Sequence, residues 1–227
     1  MTAASILRIT SFDPGSSHLG AAVYDHDARH DVTRLVDTGS MDVADHERYP
    51  ELDCYGRRGK RLHLMGLYVE QFCRLHSPDI VVIEDAYLSR FPAAFRSLVE
   101  GICAIRDAVL RWNQDAVIWM VEPSTAKAAF DAAYKGAGKD GARAGVYKYV
   151  GPLSDIDLTA LNEHTIDAVG IGYWGVQEWR RQMQLPLQPN LLSTQYRLGR
   201  MVHQQPLLGL TSPRTKTTSR KRKRGRS

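Results

Sequence analysis

The sequence predicts an α/β protein, a mixed sheet with an antiparallel start and helices on its faces. Three observations carry this. The chain opens with three short β-branched runs separated by turn signals, which read as a meander. From Arg57 onward, stretches of helical period alternate with short apolar runs rich in Val and Ile. Finally, 227 residues with 43% hydrophobic content suffice for one globular domain with a real core and an appended segment.

Each element follows from its own pattern. Residues 5–13 (SILRITSFD) alternate Ile6, Arg8 and Thr10 against Leu7, Ile9 and Ser11, then stop at Pro14-Gly15-Ser16, which makes a strand ending in an aspartate. Leu19–Tyr24 is the returning strand, with Gly20 marking a close backbone approach, and Val32–Thr38 is the third. Arg57–Leu75 sets Leu62, Met65, Tyr68, Val69, Phe72 and Cys73 at helical spacing before Ser77-Pro78 stops it. DIVVIE, residues 79–84, is an apolar run of the kind buried on both faces, and it too ends in an acid. Ala93–Trp112 predicts a helix, Ala116–Val121 another buried strand, and Ser124 the cap of a helix running through Lys127 to Phe130. Residues 134–148 (YKGAGKDGARAGVYK) begin as a basic, glycine-rich loop suited to a polyanion and pass into a short helix. Glu163–Arg181 is the last helix, buried through Ile166, Val169, Gly170, Tyr173, Trp174 and Val176. Beyond Leu185 four prolines, several glutamines and a basic run replace periodicity, which predicts an arm and a disordered tail.

Charge is uneven. The net +5 comes from eight Lys/Arg between Thr211 and Ser227, where no acid occurs, so residues 1–210 hold 22 basic and 25 acidic side chains. Nucleic-acid contacts on the body must therefore come from local patches. Cys54, Cys73 and Cys103 are odd in number and widely spaced, against a disulfide framework or zinc knuckle, and read as reduced, mostly packed thiols. The N-terminus lacks a signal-peptide pattern, and no apolar run approaches the ~20 residues that span a bilayer. A soluble intracellular protein is expected.

Three predicted elements present a carboxylate where it can meet the others: Asp13 closing the first strand, Glu84 closing the buried strand and Asp167 in the first turns of the last helix. Carboxylates are hard ligands suited to Mg²⁺, with Mn²⁺ as substitute, and two ions roughly 4 Å apart can activate water and stabilise a leaving oxygen. Each acid also has a plainer reading. Asp13 can start a turn before Pro-Gly, Glu84 can be compensated by any buried partner, and Asp167 can favour the helix dipole.

Four segments in order carry a family resemblance. FDPGSSHLGAAVYD resembles the opening strand-turn-strand, VVIEDAY the second acidic strand, VEPSTAK with the following GAGK loop the central basic stretch, and HTIDAVGIG the final acidic helix of the RuvC-like Holliday junction resolvases. A viral or phage member is one form the resemblance allows. It implies a ribonuclease H-like fold, a mixed five-stranded sheet with helices on both faces, and a homodimer that cuts four-way DNA junctions with magnesium. It also implies a nuclease domain over residues 1–182, leaving an arm at 183–210 and the basic tail at 211–227.

By matching position, Asp13, Glu84 and Asp167 are the implied metal ligands, with a fourth three residues before Asp167 at His164. Glu163, at i and i+4 from Asp167, competes with it. Lys127 matches a lysine assigned to the scissile phosphate, and Lys139 and Arg143 compete for a second cationic place after the glycine loop. Tyr87 in the segment Tyr87–Phe91, which includes Arg90, matches an aromatic that stacks at the junction centre, although Tyr87 and Phe91 can instead pack beneath the following helix. Arg57, Arg58, Lys60 and Arg61 form the densest patch on the body and can track phosphates or simply open a charged helix. The tail reads as a DNA-binding arm or a nuclear signal, so the compartment is cytoplasm, nucleoid, nucleus or viral factory according to host. The two long central helices offer apolar faces for a twofold dimer. Two other readings stand beside the resolvase: a broader fork or flap nuclease for branched viral genomes, and a non-catalytic junction-binding protein.

Overall fold

The structure, a computed structural model, describes residues 6–15, 18–42, 49–87, 91–134 and 138–184. Arg90 and the chain from 185 onward, with nearly all of the predicted arm and the whole tail, lie outside the described residues.

Strands β1 (Ile6–Pro14), β2 (His18–Asp27) and β3 (Val32–Asp42) form the antiparallel meander. A short 3₁₀ helix (Pro50–Tyr55) leads into α1 (Gly56–His76), followed by β4 (Ile80–Glu84), α2 (Pro92–Trp112) and β5 (Val117–Val121). Then come α3 (Pro123–Ala128), α4 (Gly138–Val150) and α5 (Glu163–Gln184). The sheet order is β3-β2-β1-β4-β5, with β4 and β5 parallel to β1. This is the mixed five-stranded sheet expected.

The sheet separates two cores, as alternation along its strands requires. Phe12, Val81 and Ile83 face α1 and α2 with Met65, Val69 and Ile105. Ile9, Tyr24 and Val82 face the α3–α4–α5 side with Phe130, Val146 and Val169. Helix α5 is pinned to the sheet by two hydrogen bonds into its backbone. Ser11 Oγ donates to the Ala168 carbonyl at 2.7 Å and the Tyr24 hydroxyl to that of Val169 at 2.8 Å. Gly20 makes the close approach expected of it, since a Cβ there would stand 2.0 Å from the His164 carbonyl oxygen.

Several local expectations are corrected. β5 is an edge strand with only Val121 buried, not a strand covered on both faces, because among the described residues no further strand pairs with its outer side. The α3 cap position is Glu122, with Pro123 opening the helix, because a fixed φ without an N–H suits the first turn better than Ser124 could. Of the cysteines, all free, Cys73 is buried whereas Cys54 and Cys103 are exposed.

Candidate active site

Asp13, Glu84 and Asp167 converge, and the reason is strand parity. Ile9, Ser11 and Asp13 share the face of β1 that meets α5, and Val82 and Glu84 share that face of β4. β1 and β4 run parallel with Phe12 beside Ile83, so one step further Asp13 and Glu84 stand side by side where both strands end. The first turns of α5 cross this end and add His164 and Asp167. Asp13 is 6% exposed, and His164 Nδ1 shares a hydrogen bond with its Oδ2 at 2.7 Å.

Crowded acids resist ionising together. Burial, reinforced by the negative charges of Asp13 and Asp167, pushes the Glu84 carboxyl up to about 8 against the opposing cation Lys127. Burial and the Asp13 charge likewise raise Asp167 to about 6, with Lys127 and His164 pulling the other way. The hydrogen bond to Asp13 holds the His164 imidazole above its ordinary range. Lys127 thus lies close enough to Glu84 and Asp167 for its charge to act on both.

The donor chemistry suits a divalent cation: three carboxylates whose repulsion a cation relieves, with one imidazole beside them. Yet among the described residues no group of three or more His, Cys, Asp or Glu side chains is arranged to hold a metal ion as it stands. The Asp13–His164 hydrogen bond engages a carboxylate oxygen and a ring nitrogen with each other, and both would have to turn.

The paired alternatives separate in space. Glu163 turns to Lys139, Oε2 to Nζ at 2.7 Å, whereas His164 contacts Asp13. Lys139 feels the Asp167 charge and so lies at the acidic end. Arg143 instead donates to the Leu161 carbonyl at 3.2 Å and to the Tyr147 hydroxyl at 3.0 Å, a structural engagement. Tyr87 and Phe91 are 73% and 72% exposed, so they do not pack beneath α2. In the α1 patch Arg57 is exposed and Arg58 pairs with Glu100. Lys60 corrects the expectation of a phosphate contact. It is 2% exposed, turned inward by its helix position, with Nζ 2.7 Å from Asp53 Oδ1.

One residue escaped the sequence reading. His18 stacks on His164 with ring centroids 5.4 Å apart and planes 9° from parallel. Gly15 also packs against this ring, where a Cβ would meet His164 Cε1 at 2.6 Å. The signal was present: a tight turn after Asp13 must return the chain beside it, and the first residue of that return is a histidine.

No family model and no curated protein matches the sequence. Solved structures do match its fold. The RuvC structure of Thermus thermophilus aligns with a TM-score of 0.59 at 18% identity, covering 78% of this chain and 97% of that one. The T. thermophilus RuvC complex with Holliday junction substrate gives 0.58 at 16% identity, again over 78% and 97%. The yeast mitochondrial Holliday junction resolvase gives 0.54 at 9% identity, over 78% and 80%. The chain therefore has the RuvC-type, ribonuclease H-like fold that its dispersed motifs resemble.

Proposed function

We propose that this protein is a metal-dependent, structure-selective endonuclease that resolves Holliday junctions and related branched DNA. The observation that carries the reading is the meeting of Asp13, Glu84 and Asp167, from three separate elements, beside Lys127 and His164. A structural charge cluster would be paired; this one repels itself. The RuvC-type fold, and junction DNA in the complex of one structural neighbour, support the substrate class.

Asp13, Glu84 and Asp167, with His164 as fourth donor, would hold Mg²⁺ or Mn²⁺, which supplies Lewis acidity at the phosphoryl oxygens and a more acidic water. The chain's own residues do the rest. Lys127 places positive charge where the transition state gathers negative charge. His18 and Gly15 hold the His164 ring in one plane. Exposed Tyr87 and Phe91 offer faces for unpaired bases at the branch point. Hydrolysis adds the water oxygen to phosphorus and breaks the P–O3′ bond, leaving a 5′-phosphate and a 3′-hydroxyl. Symmetric cuts need two such sites, so the active species is a homodimer. Leu67 of α1 and Leu110 of α2, 41% and 39% exposed, fit a twofold contact there.

A second reading, junction binding without cleavage, is favoured by one observation, the Asp13–His164 bond that occupies prospective ligands. Wild type and Asp13→Asn incubated with labelled four-way junction, fork and linear duplex, with and without Mg²⁺, separate the two. Paired nicks in the junction, lost in the variant, support resolution. Equal cutting of linear duplex overturns junction selectivity, and retention without cutting by both proteins leaves the binding reading.

A further inference from the structure

Beside the acidic cluster, a narrow cleft between α1 and α2 is lined by Arg58, Arg61, Leu62, Met65, Ser97 and Glu100, together with Gly15. We propose that it receives the DNA backbone phosphate neighbouring the one that is cut, and that Glu100 is a placeholder which this phosphate displaces. The proposal rests on the nuclease reading and extends it to a second phosphate position.

Three observations converge. First, Gly15 belongs to both places. It lines the cleft, and its Cα lies so close to the His164 ring that a Cβ would stand 2.6 Å from Cε1. One backbone residue therefore separates the cleft from the acids, so a strand held at one reaches the other. Second, Arg61 Nε is buried and, among the described residues, has no hydrogen-bond partner. A buried guanidinium N–H left unpaired is costly, and an incoming acceptor removes that cost. Third, the cleft holds an excess of arginine around a single carboxylate. Glu100 Oε2 accepts from Arg58 Nε and Glu100 Oε1 from Arg96 Nε at 3.1 Å.

Carboxylate and phosphate present similar paired oxygens to a guanidinium, so one can replace the other. In the free protein Glu100 holds Arg58 at the cleft. When a phosphate enters, Arg61 Nε gains its acceptor and Arg58 exchanges a carboxylate for a phosphate oxygen. Ser97 adds a hydroxyl donor. A phosphate contact of this kind holds the strand in register without reading sequence.

The test uses full-length protein and a fluorescent four-way junction in EDTA, with affinity measured across salt concentrations. Arg61→Met weakens binding about tenfold and makes the salt dependence shallower by about one ion. Arg61→Lys keeps the salt dependence but not the affinity, because charge returns without the Nε donor. Glu100→Gln tightens binding about threefold, the opposite of what loss of a merely structural ion pair would do. Neutral methylphosphonate linkages, moved one position at a time along the strand, locate the phosphate. One position next to the cut weakens wild type and has no effect on Arg61→Met.

Wild-type affinity and salt slope in Arg61→Met overturn the proposal and leave a water as the partner of Arg61. So does weaker binding by Glu100→Gln, or a methylphosphonate effect that persists in Arg61→Met. Melting curves for each variant exclude unfolding, and should Arg61→Met not fold, Glu100→Gln and the wild-type linkage scan still decide. Cleavage in Mg²⁺ is scored on the same junctions. Wild type that binds through Arg61 without cutting defeats the nuclease reading alone, whereas cutting that is indifferent to Arg61 and Glu100 defeats this one alone.

Discussion

The two ends of the sheet treat charge in opposite ways. Where β1 begins, Arg8 Nε and Nη2 grip both oxygens of Asp25 at 2.7 and 2.8 Å, Arg8 Nη1 donates to the His76 carbonyl, and the Arg8 amide donates to Asp79. Each acid there has a donor, and the hydrogen bond to Asp25 raises the Arg8 guanidinium further. Where β1 ends, three acids share one imidazole and one lysine, and two of them are pushed up to about 8 and about 6. The first arrangement holds an edge of the fold together. The second opposes folding, and strongly shifted groups of this kind cluster at functional sites.

The largest expected effect breaks the contrast at its acidic end. Asp13→Asn should reduce junction cleavage by roughly 10³-fold or more, as loss of a member of a catalytic unit does. The same change should leave the metal-free protein at least as stable as wild type, because it removes repulsion. A metal-free melting temperature well below wild type would mean that Asp13 is structural.

Next comes pH. Folded Glu84 and Asp167 titrate near 8 and 6, whereas the unfolded chain has the ordinary 4.5 and 3.8, so between those limits the folded state binds more protons. Stability of the metal-free protein is then fullest in mild acid and is lost as pH rises through about 8. Melting in EDTA from pH 5 to 9 should show this decline, and Glu84→Gln should flatten its upper part. The opposite end has the opposite sign: Asp27, held below its ordinary range by His30 and the Arg29 amide, contributes stability that disappears only in strong acid. A flat profile in EDTA would remove the basis for self-repulsion at the site.

A smaller change tests the paired end. Asp25→Asn should cost about 1 kcal/mol, or about 2–4 °C in melting temperature, while cleavage per folded molecule stays at the wild-type rate. The smallest concerns His18. His18→Ala should lower kcat about threefold to tenfold with little change in KM, and His18→Phe should recover most of it, since the ring face rather than the charge orients His164. Loss in both variants alike would assign His18 to something other than stacking.

Much of this was legible in the chain because it is local. β-Branched alternation ending in Asp13, the apolar run ending in Glu84 and helical period through Asp167 each set an element and put an acid at its end. Where legibility failed, a neighbour decided. Lys60 reads as one of four surface cations, but its helix position turns it inward to Asp53. β5 reads as fully buried, but it stands at the sheet edge. Lys139 and Arg143 are indistinguishable by spacing, and only the positions of Glu163 and the Leu161 carbonyl separate them.

Sequence by itself determined the kinds of element, their order and which residues carry chemistry, because periodicity and turn residues act over a few positions. Tertiary structure alone decided which charges are paired and which are left facing one another. Interactions between residues 13, 84 and 167 depend on through-space distance in a poorly solvated place, and strand register and helix crossing, not chain separation, set that distance.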